Sequence, residues 1–111
     1  MMKQLLRNIR ISLTPDLLKP KYRGLDHPMA GHCYVASEAL FHLADQTLYP
    51  HFIRHEGSPH WFLKDERGQV YDLTAEQFST PVSYEQGVRK GFLTKRPSAR
   101  ARIVIQRVEQ L

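Results

Sequence analysis

The stretch from His60 to Leu73 constrains this chain more than any other. His60-Trp61-Phe62-Leu63-Lys64-Asp65 and Gln69-Val70-Tyr71-Asp72-Leu73 flank Glu66-Arg67-Gly68. Two such runs around a short, glycine-ended linker predict a β-hairpin with a three-residue loop, Gly68 taking the left-handed position. In that register Asp65 pairs with Gln69, Phe62 with Asp72 and His60 with Thr74. Side chains alternate along a strand, so Trp61, Leu63, Tyr71 and Leu73 share one apolar face, suited to packing on a helix. His60 and Asp72 share the other face as diagonal neighbours, with Cα atoms roughly 7–8 Å apart. A two-residue loop would send them to opposite faces. Any site that uses both residues therefore depends on this loop length.

Helical spacing organises the rest of the chain. Leu5, Leu6, Ile9 and Leu13 predict a short amphipathic N-terminal helix. Thr14-Pro15 reads as a cap followed by proline at the first helical position, opening a turn around Leu17 and Leu18. Pro20 and the segment Gly24 to Gly31 read as a loop. Cys33 opens a helix whose Val35, Ala36, Ala39, Leu40 and Leu43 form one apolar face, ending near Asp45. A strand is predicted through Phe52-Ile53-Arg54, with Gly57-Ser58-Pro59 as a break before His60. Thr74 and Gln77 have capping-box spacing for a turn reaching Phe78. Ser83 is placed to cap a turn through Val88, with Gly91 ending it. After Pro97-Ser98, the residues Ala101, Val104, Ile105, Val108 and Leu111 fit a helical stripe. The β-branched run Ile103-Val104-Ile105 is equally compatible with an edge strand.

A chain of 111 residues suits one domain spanning 1–111. Its single cysteine, Cys33, excludes an intramolecular disulfide and fits a reducing, cytoplasmic setting. No apolar run approaches the roughly 20 residues of a membrane span. The charged start, Met1 to Arg7, lacks the apolar core of a secretory signal.

Three residues carry the chemistry. A thiol nucleophile needs a base or imidazolium partner, and that partner needs a third group to orient it. Cys33 stands where a loop meets a helix N-terminus, whose partial positive charge favours a thiolate and whose N–H groups suit an oxyanion. His60 heads a strand, and Asp72 on the next strand is placed to accept a hydrogen bond from its far ring nitrogen, as triad logic requires. Each also has a plain structural reading: a small core thiol, a strand-end histidine bonded to a carbonyl, and an aspartate bonded to the turn at Thr74.

The order helix-start Cys, strand His, next-strand Asp resembles papain-like and transglutaminase-like enzymes. The closer resemblance is to the YunG-like family of small bacterial proteins. It is carried by Gly31-His32-Cys33, by His60 and by Asp72-Leu73-Thr74-Ala75-Glu76-Gln77-Phe78, over roughly residues 28 to 79. The resemblance implies a papain-like α+β fold, in which an N-terminal helix carrying Cys33 packs on a small antiparallel sheet. It also implies Cys33, His60 and Asp72 as the catalytic set. Such sequences carry Gln before the cysteine, where this chain has His32. His32, His27 and Gln77 are thus the candidate oxyanion or substrate residues.

The function expected is a thiol hydrolase or acyltransferase acting on an amide, thioester or isopeptide bond through an acyl-enzyme. It would need no cofactor, and its substrate would be a small molecule or flexible peptide. The alternative is a catalytically silent papain-like binding module. From Arg89 to Arg107 there are seven basic residues and no acidic one, within a net charge of +5. Arg89, Lys90, Lys95, Arg96, Arg100 and Arg102 would then contact nucleic acid or an acidic protein. A zinc site from His32, Cys33, His55 and His60 has suitable atom types but no compact ligand spacing.

Overall fold

The computed structural model describes residues 2–17, 32–45, 47–92 and 95–111. The loop expected between Pro20 and Gly31, including His27, lies outside these residues. Among them the fold is α+β, with three α-helices and one four-stranded antiparallel sheet.

Apolar residues at helical spacing build one layer. Helix α1 (Met2–Ser12) buries Ile9 and sets Leu5 and Leu6 against the core. A single 3-10 turn, Pro15–Leu17, follows it and brings Leu17 into the same cluster. Helix α2 (Cys33–Leu43) buries Val35, Ala36, Ala39 and Leu40, and it packs on the sheet as well as on both other helices. The helix that carries Cys33 is thus the second in the chain, and α1 packs against it.

Helix α3 (Ala99–Glu109) resolves the ambiguity at Ile103-Val104-Ile105 in favour of a helix. Its start is fixed from outside. The Ser98 hydroxyl accepts from Ala101 N at 3.3 Å and donates to Glu38 Oε1 at 2.7 Å. Ser98 N donates to Glu38 Oε2 at 2.8 Å. Glu38 lies in the middle of α2 and is fully buried, so a carboxylate from one helix holds the serine that caps another. At the far end Arg107 donates to the Ser12 carbonyl, the Thr14 hydroxyl and Asp16, tying α3 to the end of α1.

The sheet has the order β3-β2-β1-β4, with β1 at Tyr49–His55, β2 at Ser58–Lys64, β3 at Val70–Tyr71 and β4 at Val88–Arg89. The first hairpin is tighter than the sequence suggests. Glu56 and Gly57 have φ of 51° and 78°, the paired left-handed residues of a two-residue type I′ turn. β2 therefore starts at Ser58, before Pro59. A two-residue turn makes His55 and Ser58 the hydrogen-bonded pair, so Pro59 takes the alternate position, facing away from β1. β3 is too short to reach it, and the missing proline N–H costs no ladder bond.

The second hairpin has the predicted register: Leu63 opposes Tyr71 and Lys64 opposes Val70. Asp65 N donates to Gln69 O at 3.0 Å, Asp65 Oδ1 accepts from Arg67 N and Gln69 N at 2.9 Å, and Gly68 sits at φ 83°. The paired part of β3 is shorter than expected, however. Asp72 and Leu73 lie beyond the ladder, where Asp72 Oδ1 takes up the Thr74 N–H at 3.2 Å in a local turn.

Both faces of the sheet are covered. Leu63 and Leu73 enter the helical core with Tyr71 packed against it, and Trp61 meets Tyr34 of α2 edge-on at 5.1 Å. On the other face Phe62 is fully buried beneath Tyr84, whose ring centroid is 4.9 Å away. The turn expected through Val88 is a 3-10 turn confined to Tyr84–Gln86, after which Val88–Arg89 joins the sheet beside β1. Gly87 makes this approach possible, since a Cβ there would stand 2.6 Å from Phe62 Cζ. Gly87→Ala is expected to destabilise the protein by about 1–3 kcal/mol, the usual cost of overpacking a filled interior. A lowered urea midpoint with an unchanged slope would show it; an unchanged midpoint would refute the close packing.

Candidate active site

The hairpin register brings His60 and Asp72 together. His60 Nε2 lies 2.6 Å from Asp72 Oδ2, a charge-assisted hydrogen bond. Both side chains are almost wholly withdrawn from solvent, at 0% and 4% exposure. Asp72 is held from two further directions: Thr74 N donates to Oδ1, and the Tyr84 hydroxyl donates to Oδ2 at 2.8 Å. Phe78 stands edge-on to the imidazole at 4.7 Å, and Phe62 lies alongside it at 6.3 Å.

Cys33 approaches from the helical side. It is the first residue of α2, ahead of the first helical bond, from Ala36 N to His32 O at 2.8 Å. Its half-buried thiol passes the start of β2, 3.9 Å from the outward-facing Pro59 carbonyl. His60 Nδ1, the ring nitrogen not used by Asp72, is buried without a hydrogen-bond partner. Burial alone would push the His60 pKa down, but the Asp72 bond, the Cys33 thiol and the charges of both groups overcome it and raise it to about 9.

The other sequence candidates are placed differently. His32 is buried at the N-cap of α2, and its Nε2 has no hydrogen-bond partner. Burial lowers its pKa while the Asp16 charge opposes the shift. Gln77 donates to the Thr74 hydroxyl at 3.1 Å, so its amide serves the turn after Asp72. His27 lies outside the described residues. His55 turns to Thr80, with Nε2 3.0 Å from both its carbonyl and its hydroxyl. Among the described residues no group of three His, Cys, Asp or Glu side chains is arranged to hold a metal ion.

The basic segment is partly committed to structure. Arg107 serves the α1 junction, Arg89 lies over Tyr49 at 4.0 Å, and Lys90 lies over Phe52 at 4.8 Å. Arg102 is exposed and donates to the Pro97 carbonyl. No helix among the described residues is long and apolar enough to cross a membrane.

Sequence reasoning missed Tyr84, Phe78 and Glu56. One signal was present: Phe62 sits between His60 and Lys64 in the alternation, an apolar residue on the polar face. A buried Phe there demands a cover, and residues 74–87 supply it. Glu56, at the tip of the first hairpin, clasps that cover. It accepts from Ser79 and Thr80 backbone and hydroxyl groups at 2.6–3.3 Å. The Thr80 and Ser79 bonds hold its pKa down at about 2, although what burial it has opposes this.

No family model, curated protein or solved structure matches this chain. The YunG-like and papain-like likeness therefore rests on the residues named above.

The raised His60 pKa has a consequence for stability. The group binds its proton more tightly folded than unfolded, so its contribution is complete below about 6.5 and is lost as pH rises through about 9. At about 1.4 kcal/mol per unit, that is a few kcal/mol. Urea unfolding across this range is expected to show the decline, and Asp72→Asn to flatten it. An equal decline in that variant would mean that another group titrates.

Proposed function

We propose that the chain is a thiol hydrolase or acyltransferase acting on an amide, thioester or isopeptide bond. The observation that carries this reading is the division of labour on one imidazole. Asp72 occupies Nε2 while Nδ1 stays without a hydrogen-bond partner on a ring that also responds to Cys33. Leaving a buried polar atom unpaired costs about 1–3 kcal/mol, a cost that a proton-transfer role for Nδ1 would account for.

In the proposed reaction the Cys33 proton already rests on Nδ1 in a thiolate–imidazolium pair, in keeping with the raised His60 pKa, and the sulfur attacks the substrate carbonyl carbon. The Cys33 N–H, ahead of the helical ladder, supports the developing oxyanion. Nδ1 then returns the proton to the leaving nitrogen or sulfur, giving an acyl-enzyme. Water or an acceptor nucleophile releases the acyl group by the reverse sequence. Asp72 keeps the Nε2 proton in place and stabilises the imidazolium. The imidazole is covered and only the thiol is half-exposed, so the leaving atom must enter beside the sulfur. That favours a small molecule or flexible peptide over a folded protein surface. The lone cysteine and the resemblance to YunG-like proteins support a cytoplasmic setting and a papain-like arrangement.

Cys33 alkylation by iodoacetamide tests the reading. At about pH 6, well below the ordinary thiol value of about 8.5, Cys33 is expected to react at least tenfold faster than a free thiol, and His60→Gln to abolish the advantage. Reactivity that appears only near the ordinary thiol value would sink the enzyme reading and leave a binding module.

A further inference from the structure

Tyr84 stands at the far end of the same hydrogen-bonded line, and none of the chemistry above uses it. Its hydroxyl donates to Asp72 Oδ2, the oxygen that also binds His60. Oδ1 is taken by the Thr74 N–H. The carboxylate is thereby gripped at both oxygens, and on the side where the imidazole sits the Tyr84 bond opposes its rotation. We propose that Tyr84 is a positioning residue of this site, holding Asp72 in the orientation that presents Oδ2 to His60. The inference rests on the thiol–imidazole reading above.

The surroundings of Tyr84 are those of a fixed lever. Its ring packs on the buried Phe62, whose other ring neighbours include His60 and His51. The chain on either side is anchored. Upstream, Glu56 clasps Ser79 and Thr80. Downstream, Val88 and Arg89 pair with β1, and Gly87 lets the backbone close on Phe62. Burial, with the Asp72 bond and charge adding to it, pushes the hydroxyl's pKa well above its ordinary value. It therefore stays protonated and remains a donor throughout the working range.

Among the described residues several ionisable side chains face the imidazole or reach it through a neighbour. Cys33 comes from α2, Asp72 from the segment after β3, and Tyr84 reaches it through Asp72. His51 and His55 of β1 face it across the rings of Phe62 and Phe78. A change in the pH profile of Cys33 on altering Tyr84 would thus travel through Asp72 and His60.

The test measures Cys33 alkylation by iodoacetamide against pH in the wild type, in Tyr84→Phe and in His60→Gln, with a thermal melt of each. Tyr84→Phe keeps the ring on Phe62 and removes only the hydroxyl. It is expected to slow alkylation near pH 6 by roughly three- to tenfold, as for loss of one hydrogen bond to a charged group, and to leave the alkaline rate unchanged. A wild-type profile in Tyr84→Phe, with a shifted one in His60→Gln, overturns the role of Tyr84 alone. A wild-type profile in both overturns the thiol–imidazole reading and this inference with it. Should Tyr84→Phe melt below the assay temperature, NMR of the wild type decides. The Tyr84 hydroxyl proton is expected as a slowly exchanging signal with a contact to the His60 Nε2 proton, and a hydroxyl in fast exchange with water overturns the proposal.

Discussion

A hydrogen bond between an imidazole and a carboxylate, both cut off from water, is the interaction on which the rest of this structure depends. Removing two ionisable groups from solvent costs several kcal/mol each, and their attraction repays this only with good geometry and further hydrogen bonds. His60 and Asp72 meet at 2.6 Å, and Asp72 also receives Thr74 N–H and Tyr84 O–H. The pair explains features that look unrelated in the sequence. The three-residue turn at Glu66–Gly68 sets both residues on one face, Phe78 and Phe62 wall the imidazole, and Glu56 clasps the segment that carries Phe78.

The two faces of the sheet have separate tasks. The helical side holds most of the apolar core: Ile9, Leu40, Leu63, Leu73 and Val104 come together from all three helices and the sheet. It stabilises the fold and sets the position of α2, and thereby of Cys33 at its first turn. The opposite side is a thin polar-aromatic layer of His51, His60, Phe62, Asp72, Phe78 and Tyr84. Burying a histidine and an aspartate there is a poor way to gain stability, since apolar residues of similar size would often serve as well or better. His60 and Asp72 occupy it all the same, with Nδ1 left without a hydrogen-bond partner.

Helix α2 links the two. Its N-terminus delivers the thiol past the start of β2, its apolar face fills the core, and its buried Glu38 caps α3 through Ser98.

Local periodicity and turn chemistry made much of this legible in advance. The spacing of Leu5, Leu6 and Ile9, the stripe from Val35 to Leu43, and the alternation on either side of Glu66-Arg67-Gly68 each follow from near-neighbour geometry. They establish the helices, the register of the second hairpin, and hence the shared face of His60 and Asp72. Tertiary structure decided what no local rule can specify. Ile103-Val104-Ile105 became helix because Glu38, sixty residues away, completes its cap at Ser98. Val88–Arg89 became a strand because β1 had an open edge. Tyr84 met Asp72 because a buried Phe62 required a cover and Gly87 let the chain close over it. Periodicity reports which face of an element turns inward; which distant side chain meets it there depends on packing the whole chain at once.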